Sequence, residues 1–556
     1  MTVRPETRVL LVFPRFYENS MWNFKEALEL QGARAPAPPL GLITLAAMLP
    51  AHWTVRLINR NCETMTDADF LGADLVMSGG MLPQEPDTLT VIAECRRLGV
   101  PVCIGGPAPT STPEMYDDAD FLVLGEAEGV LDRFVEAWEA GERRGRFTAE
   151  KFKADVTKSP IPRFDLLTFS HYLYIGVQFS RGCPFTCEFC DIIELYGRAP
   201  RTKTTPQMLA ELDRLYGLGY RGHVDFVDDN LIGNKKAIKL FLPHLIAWQE
   251  KHGYPFKFST EASLNLADDD ALLGMMRDAN FFALFTGIET PDEATLIQTQ
   301  KKQNTKRSIA DSVHKLYEHG MFVTAGFIVG FDTEKDSIAG AMSRCIGDTG
   351  VPIAMVGLLY ALPNTQLQRR LRAEGRLYET FAQTTATQGD QCTQGLNFVT
   401  LRPQRDVLAD YRDVLAEVYD PKNFFERVRE VSRRLKRPTF AARTIRWGAV
   451  AHDLWSLARI IWRMTVRRPE MARHFWGVFL ETARRNPAAL EAVVTNMVLY
   501  LHVYPFSRYV IREIEGRIAD LDAGRWVEPP RMAADNDPVR AQRVGKAEVD
   551  HLAAVA

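Results

Sequence analysis

With 556 residues the chain exceeds what one hydrophobic core usually organises, about 250–300 residues, so two or three domains are expected. A composition of 46% hydrophobic and 25% charged residues excludes a disordered or fibrous chain and fits a globular one. Lys+Arg 67 against Asp+Glu 70 gives a net charge of −3, which argues against a molecule built to attract nucleic acid. Met1 to Arg8 is polar and runs directly into the strand-like Arg8–Phe13, so no signal peptide is read. No apolar stretch reaches the ~18–20 residues of a spanning helix; Ala492–Phe506 is interrupted by Thr495, Asn496 and His502. Three of the eight cysteines crowd between 183 and 190, which suits a metal site in a reducing cytoplasm rather than a disulfide framework.

Along the chain, residues 1–145 alternate strand and helix patterns. Val9–Phe13, Val55–Asn59, Asp74–Ser78, Val102–Ile104 and Phe121–Leu124 read as strands, with helical periodicity at Leu40–Leu49 and Asp87–Leu98. That alternation predicts an α/β domain, a Rossmann-like parallel sheet wrapped by helices. Three strands run into glycine, at Ser78-Gly79-Gly80, Gly105-Gly106-Pro107 and Gly125-Glu126. Each alone reads as a tight βα turn; three in register point to a ligand at the carboxyl edge. Residues 146–170 read as a linker, with Arg143 and Arg144 just before it, Arg146 at its start and the Pro160-Ile161-Pro162 break within it.

Residues 171–404 carry six further βα units, with strands at Tyr172–Phe179, His223–Val227, Phe256–Thr260, Phe281–Gly287, Phe322–Ile328 and Ala354–Tyr360. Six units predict a partial barrel, whose chemistry would sit at the carboxyl ends of the strands. Those ends carry Cys183, then Asp228, Asp229 and Asn230, then Glu261 and Ser263, and finally Glu289, Asp332 and Asn364. From 405 to 525 the pattern is helical; Trp447, Val450, Leu454, Leu457, Ile461 and Met464 recur on one face. Residues 526–556 are polar and read as a disordered tail.

The segment Ser180-Arg-Gly-Cys183-Pro-Phe-Thr-Cys187-Glu-Phe-Cys190-Asp191 carries the chemistry. Three thiolates spaced by four and three residues in a loop leaving a strand can hold one face of a [4Fe-4S] cubane. A structural zinc would want a fourth closed ligand, and Glu188 or Asp191 are poor stand-ins for a thiolate. The missing fourth ligand leaves one iron open to a small molecule.

This C-x-x-x-C-x-x-C spacing, with Phe189 before the last cysteine, resembles the radical S-adenosylmethionine (SAM) superfamily. The resemblance implies that the open iron chelates SAM and that reductive cleavage yields a 5′-deoxyadenosyl radical. It implies an electron donor such as flavodoxin or ferredoxin. It also implies SAM contacts at Phe189, Asp191, Asp228, Asp229, Glu261, Gly287 and Glu289, although Glu289 could equally cap the helix after Pro291. An α/β domain ahead of such a barrel is similar to the cobalamin-binding class of the superfamily. Phe13-Pro14-Arg15, Pro38-Pro39-Leu40-Gly41-Leu42, Ser78-Gly79-Gly80, Gly105-Gly106-Pro107 and Leu124-Gly125-Glu126 match its landmarks. Cobalamin contacts are therefore expected at Pro14, Gly41, Ser78, Gly79, Gly80, Gly105, Gly106, Gly125 and Glu126. The Asp-x-His-x-x-Gly run that supplies a histidine to cobalt elsewhere is absent, and His52 has the wrong context.

Within that class, Cys190–Arg198, Phe226–Asn234, Trp248–Pro255 and Gly287–Pro291 resemble the subgroup containing the hopanoid C-2 methylase. That resemblance implies cobalamin-dependent methylation of an unactivated carbon in a lipid-like or secondary metabolite, using two SAM molecules per turnover. Radical rearrangement or cyclisation without methyl transfer is the alternative chemistry, and a non-catalytic iron–sulfur sensor the alternative from another class. Residues 421–485 hold sixteen Lys/Arg and five Asp/Glu, a net of +11, interleaved with Trp447, Trp455, Trp462 and Trp476. The plainer expectation is a helical cap with buried tryptophans and a solvated basic face. The other reading is contact with an anionic surface, peripheral to the inner membrane.

Overall fold

A computed structural model describes residues 6–17, 19–379, 395–438, 440 and 447–534, apart from the side chains of Trp22 and of 447–454. Trp447, Val450, Leu454 and Cys392 therefore fall outside the side chains described.

The first sheet is built from β1 (Arg8–Phe13), β2 (Thr54–Asn59), β3 (Leu75–Gly79), β4 (Val102–Gly105), β5 (Phe121–Leu124) and β6 (Gly145–Thr148). All pair in parallel, in the order β2-β1-β3-β4-β5-β6. The apolar runs of β1 and β3 are buried on both faces. Val9, Leu11, Phe121 and Phe134 form one cluster, and Leu10, Val12, Val76 and Ile92 the other. A sheet covered on both sides asks for such continuous β-branched runs. The strand order reverses between β1 and β3, which opens a crevice at their carboxyl ends.

Strand β6 lies where the sequence reads as linker. Its only large apolar side chain, Phe147, stacks on Phe121 at 6.5 Å. An edge strand with one solvated side needs no more than this, and leaves little trace in a basic sequence.

The second sheet begins at β7 (Ile175–Val177). A short antiparallel pair follows, β8 (Ser180–Arg181) with β9 (Arg201–Thr202). Then come β10 (Gly222–Phe226), β11 (Phe256–Glu261), β12 (Phe281–Glu289), β13 (Phe322–Val329) and β14 (Ala354–Leu358). Its order is β14-β13-β12-β11-β10-β7, all parallel, an open barrel of six strands. Side chains pointing at the helices, such as Val224, Phe226, Phe256 and Phe258, are fully buried. Residues at the alternate positions keep partial exposure.

Helix Gln404–Val418 packs on β13 and β14, and helices Pro421–Arg434 and Leu490–Asp522 pack on it in turn. Tyr411 and Tyr419 donate to the carbonyls of Val356 (3.1 Å) and Ala354 (2.6 Å). Buried Arg427 donates to the carbonyls of Val351 and Val418 at 2.8 and 2.7 Å. Of the segment read as a tail, residues 526–534 are ordered against the barrel: Glu379 donates to Pro530 O (2.9 Å) and Met532 to Leu377 O (2.8 Å). Main-chain pairing of this kind has no side-chain signature. Residues 535–556 lie outside the described span.

A Cβ on Gly79 would collide with the Gly105 carbonyl, whereas one on Gly274, inside helix Asp270–Asp278, would meet open space. Gly79→Ala is expected to cost ~1–3 kcal/mol by overpacking. Gly274→Ala should gain ~0.5–1 kcal/mol from helix propensity. Melting temperatures of the two variants should therefore move in opposite directions.

Candidate active site

The cysteine loop leaves β7 and is held from three sides. From β10 comes Asp228, 1% exposed: its carboxylate accepts from the backbone N–H of Phe179 (3.0 Å) and from the N–H and hydroxyl of Ser180. Asp229 accepts from Gly182 N at 2.8 Å, one residue before Cys183. From below β12, the Thr299–Asn304 loop meets the cysteines. Glu188 N donates to Thr299 O (3.0 Å) and Thr186 to Gln300 (2.8 Å), while Gln303 Nε2 points at Cys187 Sγ (3.6 Å). From beyond β14, Arg370 grips Glu188 at 2.5 Å, and Leu367 N donates to Glu188 O. Asp228 and Asp229, read from the sequence as SAM contacts, thus spend their hydrogen bonds on this loop.

Among the described residues, no group of three or more His, Cys, Asp or Glu side chains converges on a single ion. Burial pushes the Cys183 and Cys190 thiols up, so iron must supply the drive for deprotonation. Two amide donors face the sulfurs, Gln303 at Cys187 and Asn230 Nδ2 at Cys183 (3.9 Å). The donor set fits the cluster.

Around the cysteines, Lys301 Nζ donates to Glu289 Oε1 at 2.6 Å and lies 5.9 Å from the Phe189 ring. Burial opposes its charge, but Glu289 and the Cys187 and Cys190 sulfurs hold the ammonium protonated. Gly287 is small for a reason, since a Cβ there would press on the Glu289 carboxylate and on Lys301. Glu289 adopts φ 70°, a left-handed backbone uncommon outside glycine, and the following helix is capped by Asp292 (2.8 Å to Thr295 N) rather than by Glu289. Asp191 starts the short helix Ile192–Leu195. Glu261, at the end of β11, has no side-chain hydrogen-bond or ion-pair partner among the described residues. It is open to the barrel interior yet ringed by protein, and burial with neighbouring Asp225, Asp229 and Asp228 pushes it up to about 8. Asp332 is bound by Arg370 and Arg376, and Asn364 reaches Ser111 O (2.9 Å).

At the carboxyl edge of the first sheet, the glycine turns stack on one another. A Cβ on Gly105 would sit 2.7 Å from Val123 O, one on Gly80 2.6 Å from Gln84 Oε1, and one on Gly125 2.9 Å from the Ala149 Cβ. Gly106 has φ 99° and lies against Gly80. Pro14 O accepts from buried Gln84 (2.7 Å), and Ser78 donates to Val12 O (2.9 Å). Gly41 stands apart at the start of helix Leu40–Met48, facing open space. Glu126 pairs with Arg181 (3.2 Å) and Arg201 (2.8 Å), and Glu128 with Arg181 (2.7 Å). These ion pairs join the glycine-turn edge directly to the residue two before Cys183. Burial opposes the Glu128 charge, yet Arg181 holds the carboxyl down to about 2. The flat glycine edge, turned toward the barrel mouth, fits a broad planar cofactor. His52 pairs with Glu139 (3.0 Å), consistent with a site that takes no histidine from this domain.

Comparison with known proteins decides the family. The B12 binding domain matches residues 32–135, the radical SAM superfamily 177–344, and a domain of unknown function (DUF4070) 365–516. The chain is 43% identical over 519 residues to an uncharacterized methyltransferase of Synechocystis sp., covering 92% of this chain and 94% of that one. It is 34% identical over 515 residues to the hopanoid C-2 methylase of Rhodopseudomonas palustris, covering 91% and 94%. The chain belongs to the cobalamin-binding radical SAM family. It is an enzyme of the cobalamin-dependent methyltransferase class, with a [4Fe-4S] cluster, SAM and cobalamin as cofactors. In fold it matches the cobalamin-dependent radical enzyme OxsB (TM-score 0.56, 14% identity, 94% of this chain and 82% of that one). The methyltransferase TsrM from Kitasatospora setae matches similarly (TM-score 0.58, 13% identity, 86% and 100%).

Lys301, Gln303, Arg181 and Arg370 were not singled out from the sequence. The one available signal was the amide-rich and basic run Thr299–Asn304. Asp228→Asn places an amide N–H₂ among three donors, leaving at least one buried donor unpaired at ~1–3 kcal/mol. Anaerobically reconstituted Asp228→Asn should hold clearly less iron than wild type while retaining its far-ultraviolet circular dichroism.

Proposed function

We propose that this enzyme methylates an unactivated carbon of a lipid-like or secondary metabolite. The observation that carries the reading is the meeting of two carboxyl edges. The cysteine loop at the barrel mouth is joined through Arg181 and Arg201 to the glycine turns of the first sheet. Chemistry begun at one edge and a methyl donor held at the other would then share one enclosed space. When bound, the cluster supplies an electron to SAM and cobalamin supplies the methyl group.

In this reading Cys183, Cys187 and Cys190 hold the cluster. Phe189, Asp191, Glu261, Gly287 and Glu289 take SAM, with Lys301 orienting Glu289, while Asp228 and Asp229 act through the loop they support. Pro14, Ser78, Gly79, Gly80, Gly105, Gly106 and Gly125 form the cobalamin edge, with Glu126 fixing that edge to the barrel. The reductant is a small electron carrier of the flavodoxin or ferredoxin kind. Likeness to the hopanoid C-2 methylase supports a polycyclic lipid as substrate. Reduced enzyme given methyl-labelled SAM and candidate lipids should transfer label to product and release 5′-deoxyadenosine, with both lost in Cys187→Ala. Label-free product, or a product isomeric with its substrate, would instead support rearrangement.

We further propose that the basic C-terminal region rests on an anionic lipid surface. Trp455 and Trp462, expected as core residues, are 58% and 46% exposed and share a face with Val466, 60% exposed. Arg459 and Arg467 stack on the two indoles at 4.4 and 5.1 Å. Among the described residues no helix is long and apolar enough to cross a membrane, so such contact would be interfacial. Trp455→Ala/Trp462→Ala should weaken sedimentation with phosphatidylglycerol vesicles about tenfold. Binding of the wild type should fall as salt rises.

A further inference from the structure

Barrel interiors are normally packed with branched side chains; this one is not. Every second residue of β10 to β14 faces the lumen and keeps partial exposure, while its neighbours toward the helices are buried. A Cβ on Gly357 of β14 would meet no atom within 4 Å. The walls of this space are chemically unequal. On β12 to β14 the inward positions include Ala283, Phe285, Gly326, Met355 and Gly357, all without charge. On β10 and β11 they are His223, Asp225, Lys257, Ser259 and Glu261.

The polar wall is internally ordered. His223 Nε2 lies 2.6 Å from Ser259 Oγ, and the Ser259 hydroxyl donates to Asp225 Oδ1. A hydroxyl has one proton to give, so His223 must be the donor in the first of these bonds. That fixes the Nε2–H tautomer and leaves Nδ1 as an acceptor. Burial keeps the ring neutral, down to about 3, with Lys257 acting in the same direction. The His223 ring sits between Tyr174 (5.0 Å) and Phe282 (4.9 Å). The Tyr174 hydroxyl, close to Asp225 and Glu261, makes no hydrogen bond among the described residues. Lys257 is spent on Glu491, which closes the amino end of the barrel. The wall therefore offers the Tyr174 hydroxyl as a free donor, unspent acceptor positions on Asp225 and His223 and, among the described residues, no free cation, beneath a mouth already rich in carboxyl groups.

We propose that this wall is a recognition site for a hydroxyl group on the substrate, held by Tyr174, Asp225 and the His223–Ser259 pair. A hydroxyl can donate to Asp225 and accept from Tyr174 at once. A carboxylate or phosphate would meet the Asp225 carboxylate with no unpaired cation among the described residues of the wall to offset it, and a bare hydrocarbon would leave the polar wall unpaired. Asp225 and Ser259 lie one and two residues below the ends of their strands, roughly 3–7 Å at about 3.3 Å per residue. The recognised hydroxyl thus lies about that far from the carbon that reacts at the mouth. The inference rests on the methyl-transfer reading only for taking the lumen as the place that receives substrate.

The test uses reconstituted enzyme without reductant, and equilibrium dialysis of one saturated polycyclic terpenoid in three forms: hydrocarbon, primary alcohol and carboxylic acid. The alcohol should bind at least about tenfold more tightly than either of the others. Tyr174→Phe, which removes only a hydroxyl, and Ser259→Ala should each cut that preference to about threefold or less, with hydrocarbon binding unchanged. Equal affinities, a preference for the acid, or a preference that survives both variants would overturn the site. A parallel arm with reductant and methyl-labelled SAM separates the two readings. Selective binding without labelled product counts against methyl transfer alone, whereas labelled product without selective binding counts against the hydroxyl site alone.

Discussion

The carboxylate of Asp228 is the constraint on which the site depends. A loop that presents three thiolates to a cluster cannot supply its own backbone hydrogen bonds, because its residues are spaced by ligand geometry rather than by a helix or ladder. Asp228, at the end of the neighbouring strand, takes two of those orphan N–H donors and the Ser180 hydroxyl at once. Burial makes its charge costly and pushes the group up to about 7; the bonds from Ser180 and Phe179 oppose this. The loop and the carboxylate therefore stabilise each other, and neither arrangement would persist alone.

A second dependence links the two sheets. Arg181 sits on β8, one residue before the glycine that precedes Cys183, and reaches across to Glu126 and Glu128. Buried ion pairs of this kind contribute little net stability against an apolar alternative, but breaking one partner is expensive. Their effect here is geometric. A shift of the glycine-turn edge relative to the barrel would have to uncouple Arg181, and with it the stem of the cysteine loop. The separation between the two proposed cofactor edges is thus set by the same residues that position the thiolates.

How much of this was legible in the sequence follows from which residues carry each feature. Eleven strands stood out because β-branched and aromatic runs end in glycine or in carboxyl groups, as at Val76–Gly79 and Phe258–Glu261. The cluster loop was plain from three cysteines in eight residues. Strand β6 was not, since one phenylalanine among arginines suffices for an edge. Nor was the role of Asp228, because a carboxylate at a strand end looks the same whether it faces a ligand or a loop. Lys301 escaped because its meaning lies in Glu289 and the sulfurs, 12 or more residues away in sequence and joined to it only by folding. The exposure of Trp455 and Trp462 escaped for a related reason, since helical periodicity shows a face and not whether that face meets protein, whereas Trp476 packs on the core as expected.

The barrel interior shows how far period-two alternation can carry information once a fold is known. Along β11 the outward residues Phe256, Phe258 and Thr260 belong to the core, and the inward residues Lys257, Ser259 and Glu261 do not. A barrel that filled its lumen with these polar groups for stability would gain little, since each must be desolvated and then paired. Lys257 and the His223–Ser259–Asp225 chain are paired, which removes most of that cost. Tyr174 and Glu261 retain unspent hydrogen-bonding capacity while lining open space. Capacity left unspent on one wall, opposite apolar and glycine-lined surface on the other, is what an amphipathic guest would complete.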